Sequence, residues 1–261
     1  MEATTRVQNH FTEEQISTLM MKFQQEMLDW HRVWFEAGKQ FRVRNIIKFR
    51  QARATSFFAK EAMLDALVTG RDQVFISPNS SLADYVRAIM SEFAMTVGVR
   101  VRPDGRSWKC QRLVLSNGAT IVFAYEPLKY LPASCGCVYV DEYFWMDDFR
   151  NTRIIASGIA MHKRWRLTYF STLSHLSSQS CEAYSLWSGQ LSNRFKPKAE
   201  QIKVDLNPKA LQVGRLCEDG QWRQVVTVED AVAAGCDLYD IDKLRMDLSR
   251  SAFDRFFMCT F

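Results

Sequence analysis

No apolar run in this 261-residue chain approaches the ~20 residues that a helix needs to cross a bilayer. No signal peptide is recognisable, so the chain is expected in a cytoplasmic compartment. The seven cysteines are odd in number and lack paired spacing, which argues against a disulfide framework and for reduced thiols. Cys135-Gly136-Cys137 is the one close pair, but its spacing is wrong for a zinc knuckle and no second pair follows. Internal repeats and low-complexity tracts are both absent. Charge is nearly balanced, with 34 basic against 29 acidic residues and a net +5. That mild excess is compatible with DNA handling without requiring it. Apolar residues are plentiful at 47%, with 13% aromatic, which argues for a packed globule over a disordered chain. The length suits one substantial core, or one α/β domain with an appendage.

The most telling stretch is Val138-Tyr139-Val140-Asp141-Glu142-Tyr143-Phe144-Trp145. An apolar, β-branched and aromatic run reads as a buried strand. Two carboxylates at its end are costly to bury unless they hold a metal or a proton in flight. This is the pattern of a Walker B motif, in which Asp141 would hold Mg²⁺ and Glu142 would orient and deprotonate an attacking water. The bland reading is two acids in a solvated turn.

Upstream, Val43 to Phe49 looks like a strand, Arg50 to Ala54 like a loop, and Thr55-Ser56 opens a helical run. Gly70 stands where a helix C-cap glycine belongs. Strand, basic loop, hydroxyl and helix form the context of a phosphate-binding loop, whose amides and helix dipole attract an anion. The loop lacks the lysine and glycines of G-x-x-x-x-G-K-[ST], with Arg53 at the last glycine position and Ala54 at the lysine position. Lys48, Arg50 and Arg53 can supply the missing charge, or they form a solvated basic face. Two conformations are open at Arg53. With φ above zero, its Cβ strains the loop; in an ordinary region, its guanidinium folds over and clamps phosphates. The second is the expectation adopted here.

These blocks together resemble the ATPase domain of the large terminase subunit of tailed bacteriophages, peduovirus type. The resemblance runs from Trp30 to the C-terminus. It rests on Arg42 to Ile46, Arg50-Gln51-x-x-Ala54-Thr55, Phe58 to Ala62, Thr69 to Ser77, Tyr139 to Trp145 and Trp165 to Thr172. In the tail it rests on Gly214 to Cys217, Asp219 to Thr227 and Phe257 to Cys259. It implies an ATPase that couples Mg²⁺-dependent hydrolysis to movement of double-stranded DNA into a capsid. On that basis Lys48, Arg50, Gln51, Arg53, Ala54, Thr55 and Ser56 would line the ATP phosphates. Thr55, with Ser56 as the other candidate, and Asp141 would hold Mg²⁺. Glu142 would be the base, and Ser171 and Thr172 the coupling motif. Relatives place a Tyr-Gln pair on adenine where this chain has Trp30-His31, so Trp30 would stack on the base. Alanine at the Walker lysine position is usual in the family. Three departures stand out: Arg53 for glycine, Leu173 for proline, and a rewritten loop over 124–136 in which Lys129 is the nearest substitute for an arginine.

The resemblance also implies partners: the small terminase subunit, the portal protein of the procapsid, and copies of this chain in a ring. The expected localisation is the host cytoplasm. The expected fold class is α/β: a P-loop, ASCE-type, mostly parallel sheet flanked by helices. Residues 1–40 would form an N-terminal helical segment, frayed to about 11, then one helix from the Thr12-Glu13-Glu14-Gln15 capping box to about Glu36. Residues 41–195 would be the ATPase core and 196–261 a lid or linker subdomain. No nuclease carboxylate cluster is recognisable, so DNA cleavage by this chain is not expected. The alternative is a truncated or degenerate terminase remnant that binds nucleotide or partners without efficient turnover. A helicase-like enzyme is a third reading.

Overall fold

The computed structural model describes residues 9–104, 111–128, 131, 135–175, 177–178 and 181–261. Lys129 and the first eight residues lie outside them. The chain runs through α1 (Glu13–Gln25), α2 (Asp29–Gln40), β1 (Val43–Lys48), α3 (Ala54–Thr69), β2 (Gln73–Ser77) and α4 (Ser80–Met95). A hairpin of β3 (Gln111–Val114) and β4 (Thr120–Tyr125) follows, turning at the predicted Asn117-Gly118. Then come β5 (Cys137–Asp141), α5 (Phe149–Ile159), β6 (Leu167–Ser171), α6 (Glu182–Trp187) and α7 (Pro208–Gln212). The tail holds β7 (Arg215–Leu216), β8 (Trp222–Val226), α8 (Val228–Ala233), α9 (Ile241–Asp247) and α10 (Arg250–Phe256).

The strands form one sheet in the order β3-β4-β2-β5-β6-β1-β8-β7. The six inner strands pair in parallel, and only β3 and β7, at the edges, run antiparallel. Every residue of β2, β5, β6 and β8 is buried, as expected for strands covered on both faces. β6 lies between β1 and β5, and its register sets Ile47 beside Ser171 and Asp141 beside Phe170. The carboxyl ends of β1, β6 and β5 therefore finish side by side, where such sheets bind ligands.

α3 carries no apolar stripe, because it is buried nearly all round by Phe57, Phe58, Ala59, Ala62, Met63, Leu64, Ala66 and Leu67. One acid inside it, Glu61, is held by a bidentate bond from the fully buried Arg44, with Nη1 to Oε1 at 2.9 Å and Nη2 to Oε2 at 2.6 Å. The Tyr139 hydroxyl also donates to Glu61, at 3.0 Å. Burial pushes the Glu61 carboxyl up, but the Arg44 guanidinium outweighs it and holds the group below the usual range. This anchors α3, and with it the loop in front of α3, to the amino-terminal part of β1.

Two expectations need correction. The single N-terminal helix is two helices, broken at Glu26–Leu28. Leu28 is extended, and its N–H is taken by the Nδ1 of His31, a side-chain cap that the apolar spacing does not reveal. The second concerns the boundary at 195/196. Residues beyond it supply β7 and β8, and β8 pairs directly with β1. The tail is thus built onto the core sheet and does not stand apart from it.

Candidate active site

The loop between β1 and α3 is defined by where its backbone bonds go. The Arg50 N–H donates to Phe256 O, and the Ala52 N–H to Phe49 O. Gln51 and Arg53 both have positive φ, 75° and 56°. Arg53 is left-handed at ψ 25° and no side chain caps the first turn of α3. The first bond of that turn runs from Phe57 N–H to Arg53 O, so the amides of Ala54, Thr55 and Ser56 precede the helix's own ladder. Arg53 thus keeps the backbone that glycine would supply. The expectation of an ordinary conformation there is overturned, because the turn geometry prevails over the Cβ penalty.

The acids sit opposite. Asp141 is fully buried at the end of β5; its Oδ2 accepts from the Thr55 hydroxyl at 2.9 Å, and its Oδ1 has no partner among the described residues. Burial, and then the neighbouring Glu142 charge, push the Asp141 carboxyl far up from its ordinary value. An orphaned carboxylate oxygen next to a hydroxyl, in a site that penalises negative charge, suits a small divalent cation. Such an ion needs only one or two protein ligands when phosphates and water supply the rest. No cluster of three or more His, Cys, Asp or Glu side chains is present among the described residues. The geometry selects Thr55 over Ser56 as the hydroxyl partner.

Glu142 follows in a left-handed conformation, φ 50°. One carboxylate oxygen pairs with the Lys48 ammonium at the end of β1. The other accepts from the Thr172 N–H and the Thr172 hydroxyl, both at 2.7 Å, and lies 3.2 Å from the Ser171 hydroxyl. The Trp145 indole N–H in turn donates to the Thr172 hydroxyl at 3.0 Å. Four predicted residues, Lys48, Glu142, Ser171 and Thr172, are therefore one hydrogen-bonded group. Lys48 differs from expectation in its partner: it is bound to Glu142, not free above the loop. Leu173, which follows Thr172, is fully buried.

These parts line a cavity of about 910 Å³, walled by Lys48, Arg50 to Ser56, Glu142 and Thr172. Further walls were not foreseen: Pro78, Asn79, Ser81, Leu82 and Tyr85 around the start of α4, and Met27, Glu26 and Lys60 on the other side. Lys60 pairs with Glu26 across that edge. Trp30 does not line the cavity. It is 5% exposed, lies edge-on to Phe49, and its indole N–H donates to Ala52 O at 3.1 Å. The face expected for adenine is covered by protein, whereas His31 does reach the cavity wall. Tyr239 was also missed: its hydroxyl donates to Gln51 O at 2.9 Å.

A family model described as "Terminase large subunit, T4likevirus-type, N-terminal" matches residues 45–261. The "Terminase, ATPase subunit" of Escherichia phage P2 is 40% identical over 255 residues, 97% of this chain and 42% of that protein. The "Probable terminase, ATPase subunit" of Haemophilus phage HP1 is 38% identical over 225 residues, 85% of this chain and 35% of that protein. The chain thus spans less than half the length of these curated relatives. Among solved structures, the Thermus phage P74-26 large terminase ATPase domain superposes with a TM-score of 0.54 at 13% identity, covering 85% of this chain and 89% of that one. The HK97 bacteriophage large terminase gives 0.54 at 13% identity, covering 89% and 50%. At such identity the two structures speak for the fold alone. No helix among the described residues is long and apolar enough to cross a membrane.

Proposed function

The chain belongs to the terminase large-subunit family, and from that premise we propose that it hydrolyses ATP to drive double-stranded DNA into a phage capsid. The observation that carries this reading is the convergence at one cavity of a cationic loop with uncapped helix amides, the Thr55–Asp141 pair, and Glu142 held from two strands. Phosphoryl transfer is mostly positioning and charge neutralisation, so such a set is the catalyst. The amides at the start of α3, with Lys48, Arg50 and Arg53, hold the phosphates. Thr55 and Asp141 hold Mg²⁺, which, when bound, screens the phosphate charge. Glu142 orients and deprotonates the attacking water.

The Lys48 ammonium has three donors. A triphosphate arriving over the loop competes with Glu142 for them and frees one carboxylate oxygen to accept a proton from water. Ser171 and Thr172 hold the other oxygen, so the state of Glu142 is communicated to β6 and, through Trp145, to Phe256 of α10, whose ring stacks on it at 6.3 Å. The motor works as a ring of copies in the host cytoplasm, with the small terminase subunit and the portal protein as partners.

Steady-state ATP turnover, with and without linear double-stranded DNA, tests the reading. Mg²⁺-dependent hydrolysis that DNA stimulates supports it. Nucleotide binding with no turnover under either condition favours the remnant alternative.

A further inference from the structure

The Ala52 carbonyl, at the centre of the loop, accepts two buried hydrogen bonds: from the Trp30 indole N–H at 3.1 Å and from His31 Nε2 at 3.0 Å. The direction of the second is fixed by its other end. His31 Nδ1 accepts the Leu28 N–H at 3.3 Å, so the ring proton is on Nε2 and donates. Both lone pairs of one carbonyl are thereby occupied, by adjacent residues of one helix. His31 is itself stacked on Phe57, with ring centroids 4.8 Å apart and planes at 19°. Neither donor can move without disturbing packing.

We propose that Trp30 and His31 are positioning residues of the phosphate loop, which fix the 52–53 peptide so that the Arg53 N–H faces the phosphates. This rests on the nucleotide reading above and refines it. In a trans peptide the carbonyl and the next N–H point in opposite directions. A carbonyl pinned toward α2 therefore turns the Arg53 N–H away from α2, to join the amides of Ala54 to Ser56. The neighbouring peptide is treated the opposite way. The Gln51 carbonyl is bound by Tyr239 and the Ala52 N–H by Phe49 O, so that amide is spent within the protein. The alternation matters most in this chain. Arg53 occupies a left-handed conformation at a cost that glycine would not incur, and a tether on the preceding carbonyl is what holds it there. The indole thus serves the triphosphate, not the base.

Binding of ATP and of inorganic tripolyphosphate, each with Mg²⁺, separates these roles, because tripolyphosphate has no base to stack. Trp30→Phe keeps the aromatic body and removes the donor. His31→Phe removes both ring nitrogens, and His31→Gln restores a donor amide. The expected result is that Trp30→Phe and His31→Phe weaken both probes by the same factor, about fivefold for one lost bond. His31→Gln should bind both within about twofold of the parent. Ligand-free melting temperatures, measured alongside, identify any variant that fails to fold, and the His31→Gln and His31→Phe comparison then decides alone. Loss of ATP binding with unchanged tripolyphosphate binding would overturn the proposal in favour of base stacking. Unchanged binding of both probes in Trp30→Phe and His31→Phe would overturn it outright. A parent protein that binds neither probe overturns the nucleotide reading itself, and the proposal with it.

Discussion

Replacing Arg53 by glycine separates backbone strain from phosphate contact. Arg53 sits at φ 56° and ψ 25°, where a residue with a Cβ loses ~1–2 kcal/mol relative to the right-handed region. Glycine removes that cost but is freer in the unfolded chain, which returns ~0.4–1 kcal/mol. The net expectation is a gain of ~0.5–1 kcal/mol. Among the described residues the Arg53 guanidinium forms no ion pair that the change would sacrifice. For a chain of this size 1 kcal/mol corresponds to ~2–4 °C, so the ligand-free melting temperature should rise by ~1–4 °C. ATP binding should move the other way. The side chain lines the cavity, and a charge-assisted bond to phosphate contributes ~1.5–3 kcal/mol, so affinity should fall by about tenfold or more. Differential scanning fluorimetry and calorimetric titration measure the two effects on one preparation. A lower melting temperature in Arg53→Gly would refute the strain argument. Tighter ATP binding with faster hydrolysis would refute the phosphate contact and return Arg53 to a mere departure from the family pattern.

Four further outcomes are expected. Glu142→Gln should bind ATP but lose at least about 10²-fold in turnover, measured by phosphate release; unchanged turnover removes Glu142 from the mechanism. Lys48→Ala should weaken ATP binding or slow hydrolysis, whereas Lys39→Ala, exposed and in contact with Glu36 and Phe35 of the same helix, should do neither. Lys60 is unsuitable as that control because it lines the cavity. Gly38→Ala should destabilise by ~1–3 kcal/mol in urea titrations, although alanine favours helix, because the new Cβ would lie 2.5 Å from Arg44 Nη1. Burial, reinforced by the Arg53 and Lys60 charges, lowers His31 from 6.5 to about 4. The unfolded chain therefore takes up a proton below pH 6.5 that the folded protein refuses until about pH 4. His31 should thus contribute a loss of about 3 kcal/mol of stability between those pH values. His31→Gln should flatten that part of the profile, and an unaltered profile would contradict the burial argument.

What the sequence made legible was local. Asp141 and Glu142 were read from their place at the end of an apolar run, Thr55 from its place at the start of a helix, and the hairpin from Asn117-Gly118. Each is a short-range signal that tertiary packing had no reason to override. What escaped was contact between distant segments. Tyr239 reaches Gln51 across 188 residues, and nothing near Tyr239 announces it. The break at Glu26–Leu28 escaped because Met27, Trp30 and Trp34 keep helical spacing through it, while the deciding cap comes from an imidazole three residues on. Trp30 was expected to stack on the base, but its indole is turned onto the Ala52 carbonyl, and orientation is not carried by spacing. The pairing of the tail with the core sheet escaped for a similar reason: a hairpin is visible in sequence, but the strand it pairs with is not.

The distribution of strain bears on whether the chain is a motor or a remnant. Four non-glycine residues among those described have positive φ: Gln51, Arg53, Glu142 and Cys259. Three of the four line the cavity that Thr55, the hydroxyl partner of Asp141, also lines. Each costs on the order of 1 kcal/mol or more and persists only where surrounding structure over-determines it. Asp141 adds a fully buried carboxylate with one oxygen unpartnered among the described residues, a further cost in the ligand-free fold. A scaffold kept only for its shape gains nothing from these features, and single substitutions to glycine or asparagine would relieve them. Their concentration at the carboxyl ends of β1, β5 and β6 supports the proposed phosphate chemistry there over the remnant reading. Arg53 is the sharpest case. It holds a left-handed conformation that glycine would adopt without strain, so the guanidinium adds charge to the loop while the loop keeps a glycine-like backbone.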